Sequence, residues 1–264
     1  MVINKEIILV VNKRRDELLG REFETNRFGK CFIIDYKNKS NVLVMFYEPF
    51  CIVKCRLNNL KEGRVANPMY LSVQGVGCYG VGKYSSKDRE VHKLWYSLLD
   101  RCYGKDSEIK FPTYKDVIVH KEWLNFQNFA AWCYDQKFFK CRDDKGKSYH
   151  LDKDILVKGN KMYSPDTCCF VPCEINSSLT LSNAKRGLYP LGVSFDKDSN
   201  KFKSSLLVEG VLKNLGRFNI PEEAFEAYKR GKEDRLKFLA RKWEGRVDDK
   251  VLSSLLSWEM CIDD

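Results

Sequence analysis

The stretch LGVSFDKDSNKFKSSLLVEGVLKNLGRFNIPEEAFEAYKRGKEDRLKFLARKW, residues 191–243, decides the fold of the C-terminal part of the chain. Three short runs alternate apolar and polar residues, and two polar turns separate them, at residues 198–200 and at Glu209-Gly210. Pro221 and the acidic pair after it are typical of a helix start, since proline fits the first helical position and carboxylates favour the positive helix end. The stretch predicts a three-stranded antiparallel sheet followed by a helix.

The two faces of this sheet should differ in character, because side chains alternate along a strand with a period of two. On the second strand, one face would hold Phe202, Ser204, Leu206 and Val208, and the other Lys201, Lys203, Ser205 and Leu207. The helix has an apolar face made by Ala224, Phe225, Tyr228, Leu236, Leu239 and Ala240. Burial of the two apolar faces against each other would leave Lys203 and Ser205 outside.

The preceding segment, HLDKDILVKGNKMYSPDTCCFVPCEINSS at residues 150–178, contains the candidate residues for chemistry. Asp152 and Asp154 end an apolar run, a turn follows at Gly159-Asn160, and Asn176 lies on what could be a short helix. A metal-assisted nuclease needs hard oxygen ligands for a magnesium-like ion and a base that activates water. A carboxylate and an amide, brought together by a β-hairpin packed on a helix, could supply those ligands.

Two helices are predicted further upstream. In DREVHKLWYSLLDRCYG the apolar residues have helical spacing, Ser85 with Asp88 gives a capping signature, and Gly104 ends the helix. A second helix, near residues 122–136, has an aromatic side made by Trp123, Phe126, Phe129 and Trp132. Such aromatics could stack on bases, but an aromatic stripe at helical spacing is more often core.

The glycine-rich stretch GVGCYGVGKYSS, residues 75–86, resembles a phosphate-binding loop only superficially. Tyr84 stands where such a loop needs a serine or threonine to bind magnesium. No convincing βαβ unit supports a dinucleotide site either. We therefore expect residues 75–87 to be a hinge and expect no nucleotide cofactor.

The N-terminal part is rich in β-formers. Apolar runs at residues 31–36, 42–47 and 51–55, preceded by GREFET, predict short antiparallel strands. We expect them to curl into a small SH3-like β-barrel within residues 1–74. Small barrels of this kind are usually binding modules, but nothing in the sequence identifies a ligand.

Composition favours a polyanionic partner. The net charge is +10 and the pI about 9.0, while 44% of the residues are hydrophobic, enough for real cores. The eleven cysteines include no C-x-x-C pair and only three histidines accompany them, so no zinc site is expected. The first residues contain only a short apolar run between charges, which predicts neither a signal peptide nor a membrane anchor.

The central segment resembles the HNH, or His-Me finger, endonucleases, and more closely a bacteriophage group of that class. The phrases LDKDILVKGNK.YSP.TC.FVP..IN and LWYSLLDRCY…EWLNFQNFAAW make up this resemblance. It implies that Asn160 is the middle asparagine of the motif, that Asn176 is the last, metal-binding one, and that Asp152 or Asp154 precedes the catalytic position. Lys153 or Ile155 stands there in place of histidine; His150, on the same side of the strand as Asp152, is a candidate substitute base.

The C-terminal stretch resembles the ethylene-response-factor type of DNA-binding domain found appended to phage endonucleases, through GV…KF…LG.F…EEA..AY. In that family the sheet lies in the major groove of DNA. The resemblance implies DNA contacts by Lys201, Lys203 and Ser205, and by Ser194 and Asn214 on the neighbouring strands. The arginines and tryptophans that the plant domains carry at these positions are mostly absent.

Together these features predict an α+β protein of several modules: a barrel at residues 1–74, a hinge at 75–87, a ββα His-Me finger with flanking helices at 88–180, a sheet-plus-helix domain at 181–245, and a tail at 246–264. The expected function is magnesium-dependent hydrolysis of double-stranded DNA by a phage protein in the cytoplasm of a bacterial host. The alternatives are a non-cleaving DNA-binding regulator on the same scaffold and a phage protein that binds and inhibits a host protein. The sequence leaves the role of the tail and the oligomeric state open.

Overall fold

The structure is a computed structural model, and it describes residues 13, 15–179 and 188–264 of the 264-residue chain. The described residues form two compact units. The first lies within Met1–Lys115 and Lys121–Ala131, and the second within Asp116–His120 and Trp132–Asp264. Both units mix helices with β-sheets, so the α+β class is confirmed. The two units do not coincide with the segments expected from the sequence.

A four-stranded antiparallel sheet begins the first unit. Its strands are β1 (Glu22–Glu24), β2 (Lys30–Asn38), β3 (Asn41–Phe46) and β4 (Cys51–Cys55), and they lie in chain order across the sheet. The three apolar runs of the sequence are β2, β3 and β4, as predicted. Alternate residues of β2 and β3, including Ile33, Val44 and Phe46, point into a common core.

The predicted N-terminal barrel is wrong. A barrel requires its first and last strands to pair, but the described strands form an open sheet with β1 and β4 at its two edges. Helix α1 (Leu57–Lys61) follows β4 and covers the apolar face of the sheet instead, since Leu57 and Leu60 belong to the same core.

Two longer helices follow the sheet in the chain, and the first of them lies wholly within the first unit. Helix α2 (Arg89–Tyr103) begins where the Asp88 carboxylate accepts a hydrogen bond from the Glu90 N–H at 3.2 Å, and it ends at Gly104, as predicted. The short α3 (Ser107–Lys110) and the 3-10 turns Pro112–Tyr114 and Lys121–Leu124 follow, and α4 (Phe126–Asp135) starts after them. The aromatic residues Trp123, Phe126 and Phe129 are buried, which confirms that they are core and not a stacking platform for bases.

The glycine-rich stretch packs inside the first unit. The N–H of Cys78 donates to the Leu124 carbonyl at 2.9 Å. A Cβ atom at Gly77 would lie 2.5 Å from the Leu99 side chain and 3.1 Å from the Trp95 ring, so only glycine permits this close approach to α2. Close packing against a helix is therefore one reason for glycine in this stretch.

The second unit contains the segment that resembles the nuclease. The short strand β5 (Ile118–Val119) pairs in parallel with β7 (Met162–Tyr163). Strand β6 (His150–Asp152) pairs antiparallel with β8 (Cys169–Val171), and α5 (Cys173–Leu179) follows β8 directly. Two antiparallel strands and a helix thus lie where a ββα unit was expected.

The C-terminal sheet and helix follow the prediction. Strands β9 (Val193–Asp196), β10 (Lys201–Val208) and β11 (Val211–Phe218) form a sheet in the order β11-β10-β9, and α6 (Pro221–Lys242) packs on it. All six residues of the predicted apolar helix face are buried. The tail forms α7 (Asp249–Leu256), which packs on α6 through its buried Val251 and Leu255. No helix in the described ranges is both long and apolar enough to cross a bilayer.

Candidate functional site

The outward side of the C-terminal sheet gathers the residues predicted to contact DNA. Lys203 lies opposite Ser194 on β9 and opposite Arg217 on β11, so these three side chains share one face. Ser205 is paired with Asn214, and Lys201 with Asp196. We call this surface the outer face; it consists of Ser194, Asp196, Lys201, Lys203, Ser205, Leu207, Leu212, Asn214 and Arg217.

Burial of the opposite side fixes the orientation of the sheet. Leu206 is buried against Phe225 and Tyr228 of α6, and Val193, Val208 and Leu215 pack around the same core. Because alternate residues point to opposite faces, burying Leu206 and Ser204 directs Lys203 and Ser205 outward. The predicted division of β10 into a core face and a polar face is confirmed.

Arg217 was not expected on the outer face. If β10 and β11 paired without interruption from the Glu209-Gly210 turn, Arg217 would lie opposite Phe202, on the inner side of the sheet. A β-bulge between Ser204 and Ser205 leaves Leu215 unpaired and shifts the register by one residue, so that Arg217 lies opposite Lys203. Gly216, with φ of +136°, occupies a backbone conformation that favours glycine. A lone glycine within a strand is the sequence signal that could have indicated this bulge.

The charges of the outer face are mostly positive. The Arg217 Nε atom lies 2.7 Å from the Asp196 Oδ2 atom, and this hydrogen bond is the largest of several that lower the pKa of Asp196 to about 2. The carboxylate therefore holds the guanidinium group in place on the sheet. Lys201 and Lys203 form no ion pair with any residue that the structure describes, which leaves both ammonium groups available to an anion.

A second candidate site is the pair of His150 and Asn176. The His150 Nδ1 atom lies 3.1 Å from the Asn176 Nδ2 atom, and the histidine is exposed. His150 opens β6 and Asn176 lies in α5, so the packing of the helix behind the two strands brings them together. The sequence predicted that His150 and Asp152 lie on the same side of one strand. It did not predict the contact between His150 and Asn176.

Lys153, expected at the catalytic position, is internal to the fold. Its side chain is buried, and its Nζ atom donates to both Asp154 carboxylate oxygens at 2.6 and 2.7 Å and to the Asn160 carbonyl at 2.6 Å. Asn160 in turn donates through Nδ2 to the carbonyls of Lys153 and Met162, at 2.9 and 2.7 Å. Lys153, Asp154 and Asn160 thus tie together the loop between β6 and β7.

Asp152 is also engaged in local structure. Its Oδ1 atom accepts hydrogen bonds from the backbone N–H groups of Asp154 and Ile155, both at 2.8 Å. Burial raises the pKa of Asp152, although these two hydrogen bonds act in the opposite direction. The carboxylate therefore stabilises the turn after β6, and its hydrogen bonds are to this turn and not to Asn176.

The three expected metal ligands, Asp152, Asp154 and Asn176, are not arranged to hold a magnesium ion. Magnesium requires oxygen ligands in near-octahedral geometry, usually one or two carboxylates together with water. Here the Asp154 carboxylate pairs with Lys153, Asp152 accepts two backbone N–H groups, and the Asn176 amide contacts His150. Nowhere in the described part of the chain do three histidine, cysteine, aspartate or glutamate side chains form a group suited to a metal.

An ionic cluster links this region to the C-terminal helix, and no sequence pattern indicated it. Glu174 in α5 accepts from Arg235 at 2.6 Å, from Lys242 at 2.7 Å and from the Trp243 indole at 3.0 Å. Burial would raise the pKa of Glu174, but these hydrogen bonds outweigh it and the pKa is lowered. Arg235 also pairs with Glu209 in the turn between β10 and β11. The helix behind β6 and β8 is therefore fastened to the module that carries the outer face.

Comparison of the chain with protein-family models, with curated proteins and with solved structures finds no match in any of the three. No relative therefore supplies an activity, a ligand or a fold name for this chain. Its function has to be inferred from the outer face and from the His150–Asn176 pair.

Proposed function

We propose that this protein binds double-stranded DNA through the outer face, as a DNA-binding protein of the phage HNH type. One observation supports this most directly: the five residues expected to contact DNA lie together on one exposed side of the sheet, with Arg217 added to them. The central part of the opposite side is buried against α6, so the outer face is the side of the sheet that is open along the whole of β10.

The chemistry of the outer face suits the DNA major groove. The groove is about 12 Å wide and admits a two-stranded β-ribbon. Lys201 and Lys203 can neutralise phosphates, Arg217 can bond to guanine or phosphate, and Ser205 and Asn214 can bond to base edges. The net charge of +10 adds long-range attraction to a polyanion.

In such a DNA-binding protein, the segment around Lys153 stabilises the fold and takes no part in hydrolysis. An active magnesium nuclease needs a free base and accessible carboxylate ligands. Lys153 and Asp154 neutralise each other, and Asp152 supports a turn. We therefore place the non-cleaving DNA-binding protein ahead of the nuclease.

The test is the salt dependence of DNA binding in a double variant. Lys201→Ala with Lys203→Ala should weaken binding to duplex DNA of any sequence. It should also reduce the log-log salt slope by about 0.9 for each phosphate that the variant no longer neutralises. The matched control is Arg230→Ala with Lys237→Ala, which removes the same charge from exposed positions of α6, on the other side of the sheet. Equal losses in both variants would show that net charge, and not the outer face, determines binding.

A second candidate function is DNA hydrolysis with His150 as the base, and the contact between His150 and Asn176 favours it. If the Asn176 amide presents its oxygen to the Nδ1–H group of His150, the Nε2 atom carries no proton and can accept one from water. Asn176 would then fix the tautomer of the base.

Nicking of supercoiled plasmid, with and without magnesium or manganese, separates the two functions. The non-cleaving protein should nick nothing under any of these conditions. If nicking does occur, His150→Ala should abolish it while duplex binding is retained. Nicking that survives in His150→Ala would exclude His150 as the base.

A further inference from the structure

The outer face ends in two exposed leucines. Leu207 on β10 lies directly opposite Leu212 on β11, next to the Glu209-Gly210 turn. Their side chains are 65% and 63% exposed, and they occupy the same face as Lys203 and Arg217. The outer face is thus cationic and polar over most of its length and apolar at the hairpin end.

This apolar pair is not explained by packing. The core of the C-terminal module uses the inner face, where Leu206 contacts Phe225 and Tyr228. Leu207 and Leu212 touch none of this core because they point the other way. A partner that covers the whole outer face would complement it best by being anionic along most of its length and by offering apolar groups at one place.

The DNA major groove meets both requirements. Phosphates line its edges, and the C5-methyl group of thymine is the one apolar group that a base pair presents in it. Building on the proposed function, we propose that Leu207 and Leu212 contact thymine methyl groups, so that the hairpin end of the outer face selects A·T base pairs.

The distance between Leu207 and Lys203 along β10 indicates where the A·T base pairs would lie in the DNA site. Leu207 is four residues from Lys203, about 13 Å at roughly 3.3 Å per residue. Base pairs in a duplex are about 3.4 Å apart. With the strand running along the groove, the A·T pairs lie about four base pairs from the position that Lys203 and Arg217 occupy.

Replacing thymine by deoxyuridine tests the contact, because it removes the methyl group and leaves every hydrogen-bonding group of the base pair unchanged. The probes are alternating A–T and alternating A–U duplexes of equal length, compared at one salt concentration. The wild-type protein should bind the A–U duplex more weakly, roughly fourfold for each methyl group that the leucines would otherwise cover, which is the factor expected for one buried methyl group.

Variants assign the preference to the two leucines. Leu207→Ser with Leu212→Ser should bind both duplexes with equal affinity. Val211→Ser is the matched control, because Val211 is 64% exposed in the same hairpin but pairs with Val208 of the opposite face. It should keep the wild-type preference. All three positions are exposed, so these changes should not prevent folding.

The outcomes separate this proposal from the function on which it rests. Salt-dependent binding of both duplexes with equal affinity by the wild-type protein would overturn the thymine contact and leave DNA binding intact. A preference for the A–T duplex that survives in the double variant would overturn it as well. Absence of binding to either duplex at low salt would overturn the proposed function itself.

Discussion

Lys203 and Lys153 lie in the same compact unit but in opposite surroundings. Lys203 stands on the outer face, beside Arg217 and Ser194, and pairs with no carboxylate that the structure describes. Lys153 is only 9% exposed, and its ammonium group donates to both oxygens of Asp154 and to the Asn160 carbonyl.

The difference separates charges that hold the fold from charges that can hold a ligand. A buried ammonium group must be compensated within the protein, because desolvation of an unpaired charge costs several kcal/mol. An exposed lysine remains hydrated at little cost and exchanges water for a phosphate when DNA binds. The sequence resemblance places both kinds of lysine at functional positions, and the contacts assign them different tasks.

The largest expected effect comes from breaking the internal pair. Lys153→Met keeps most of the side-chain volume but leaves Asp154 and the Asn160 carbonyl without their cation, and should destabilise the second unit by about 3 kcal/mol. Urea unfolding followed by tryptophan fluorescence would measure this loss. Lys203→Met is the control and should change stability by no more than about 0.5 kcal/mol. An unchanged unfolding midpoint in Lys153→Met would contradict a structural role for Lys153.

A somewhat smaller effect is expected at the ionic cluster of Glu174. Glu174→Gln removes the charge that Arg235 and Lys242 share, and should cost about 2 kcal/mol. Because the folded-state pKa of Glu174 lies below its ordinary value of 4.5, its contribution is present above that pH and is lost as the pH falls through the folded-state pKa. Stability curves of wild type and variant should therefore converge in acid. Glu226→Gln, an exposed change on α6, should leave the curve unaltered, and a constant gap at all pH values would contradict the assignment to ionisation.

The smallest expected effect concerns the residue that the bulge adds to the outer face. Arg217→Ala should reduce DNA affinity about tenfold, the typical loss for one good arginine contact, without lowering stability appreciably. Fluorescence anisotropy with a labelled duplex would measure the change. NMR titration of the same variant should show the pKa of Asp196 returning from about 2 towards its ordinary value of 3.8. If Arg217→Ala binds DNA as wild type does while the pKa of Asp196 rises, Arg217 serves only to neutralise Asp196.

Local patterns were sufficient for most of the secondary structure. The alternation in residues 201–208, the Glu209-Gly210 turn and the acidic residues after Pro221 each specify a short stretch, so the C-terminal sheet and helix could be predicted from the sequence. The same holds for the existence of α2 and its end at Gly104, although its N-cap is Asp88 itself and not Ser85 as the capping signature implied. The N-terminal strands were equally predictable, but the closure of their sheet was not, because it depends on pairing between β1 and β4, which lie far apart in the chain.

The candidate site likewise has features that local sequence patterns predict and features that they do not. The sequence by itself determined which residues of β10 face outward, since burial of an apolar strand face requires only the period of two. The structure was needed to show that Arg217 joins them, because a bulge at Leu215 shifts every later pairing by one residue and the sequence marks that bulge only by Gly216. The tertiary structure also decided that Lys153 is neutralised by Asp154 and that His150 contacts Asn176. The physical reason is that the period of two depends only on the residues of one strand, whereas a shifted register and a side-chain contact depend on how separate segments, or the two ends of a loop, come together in the fold.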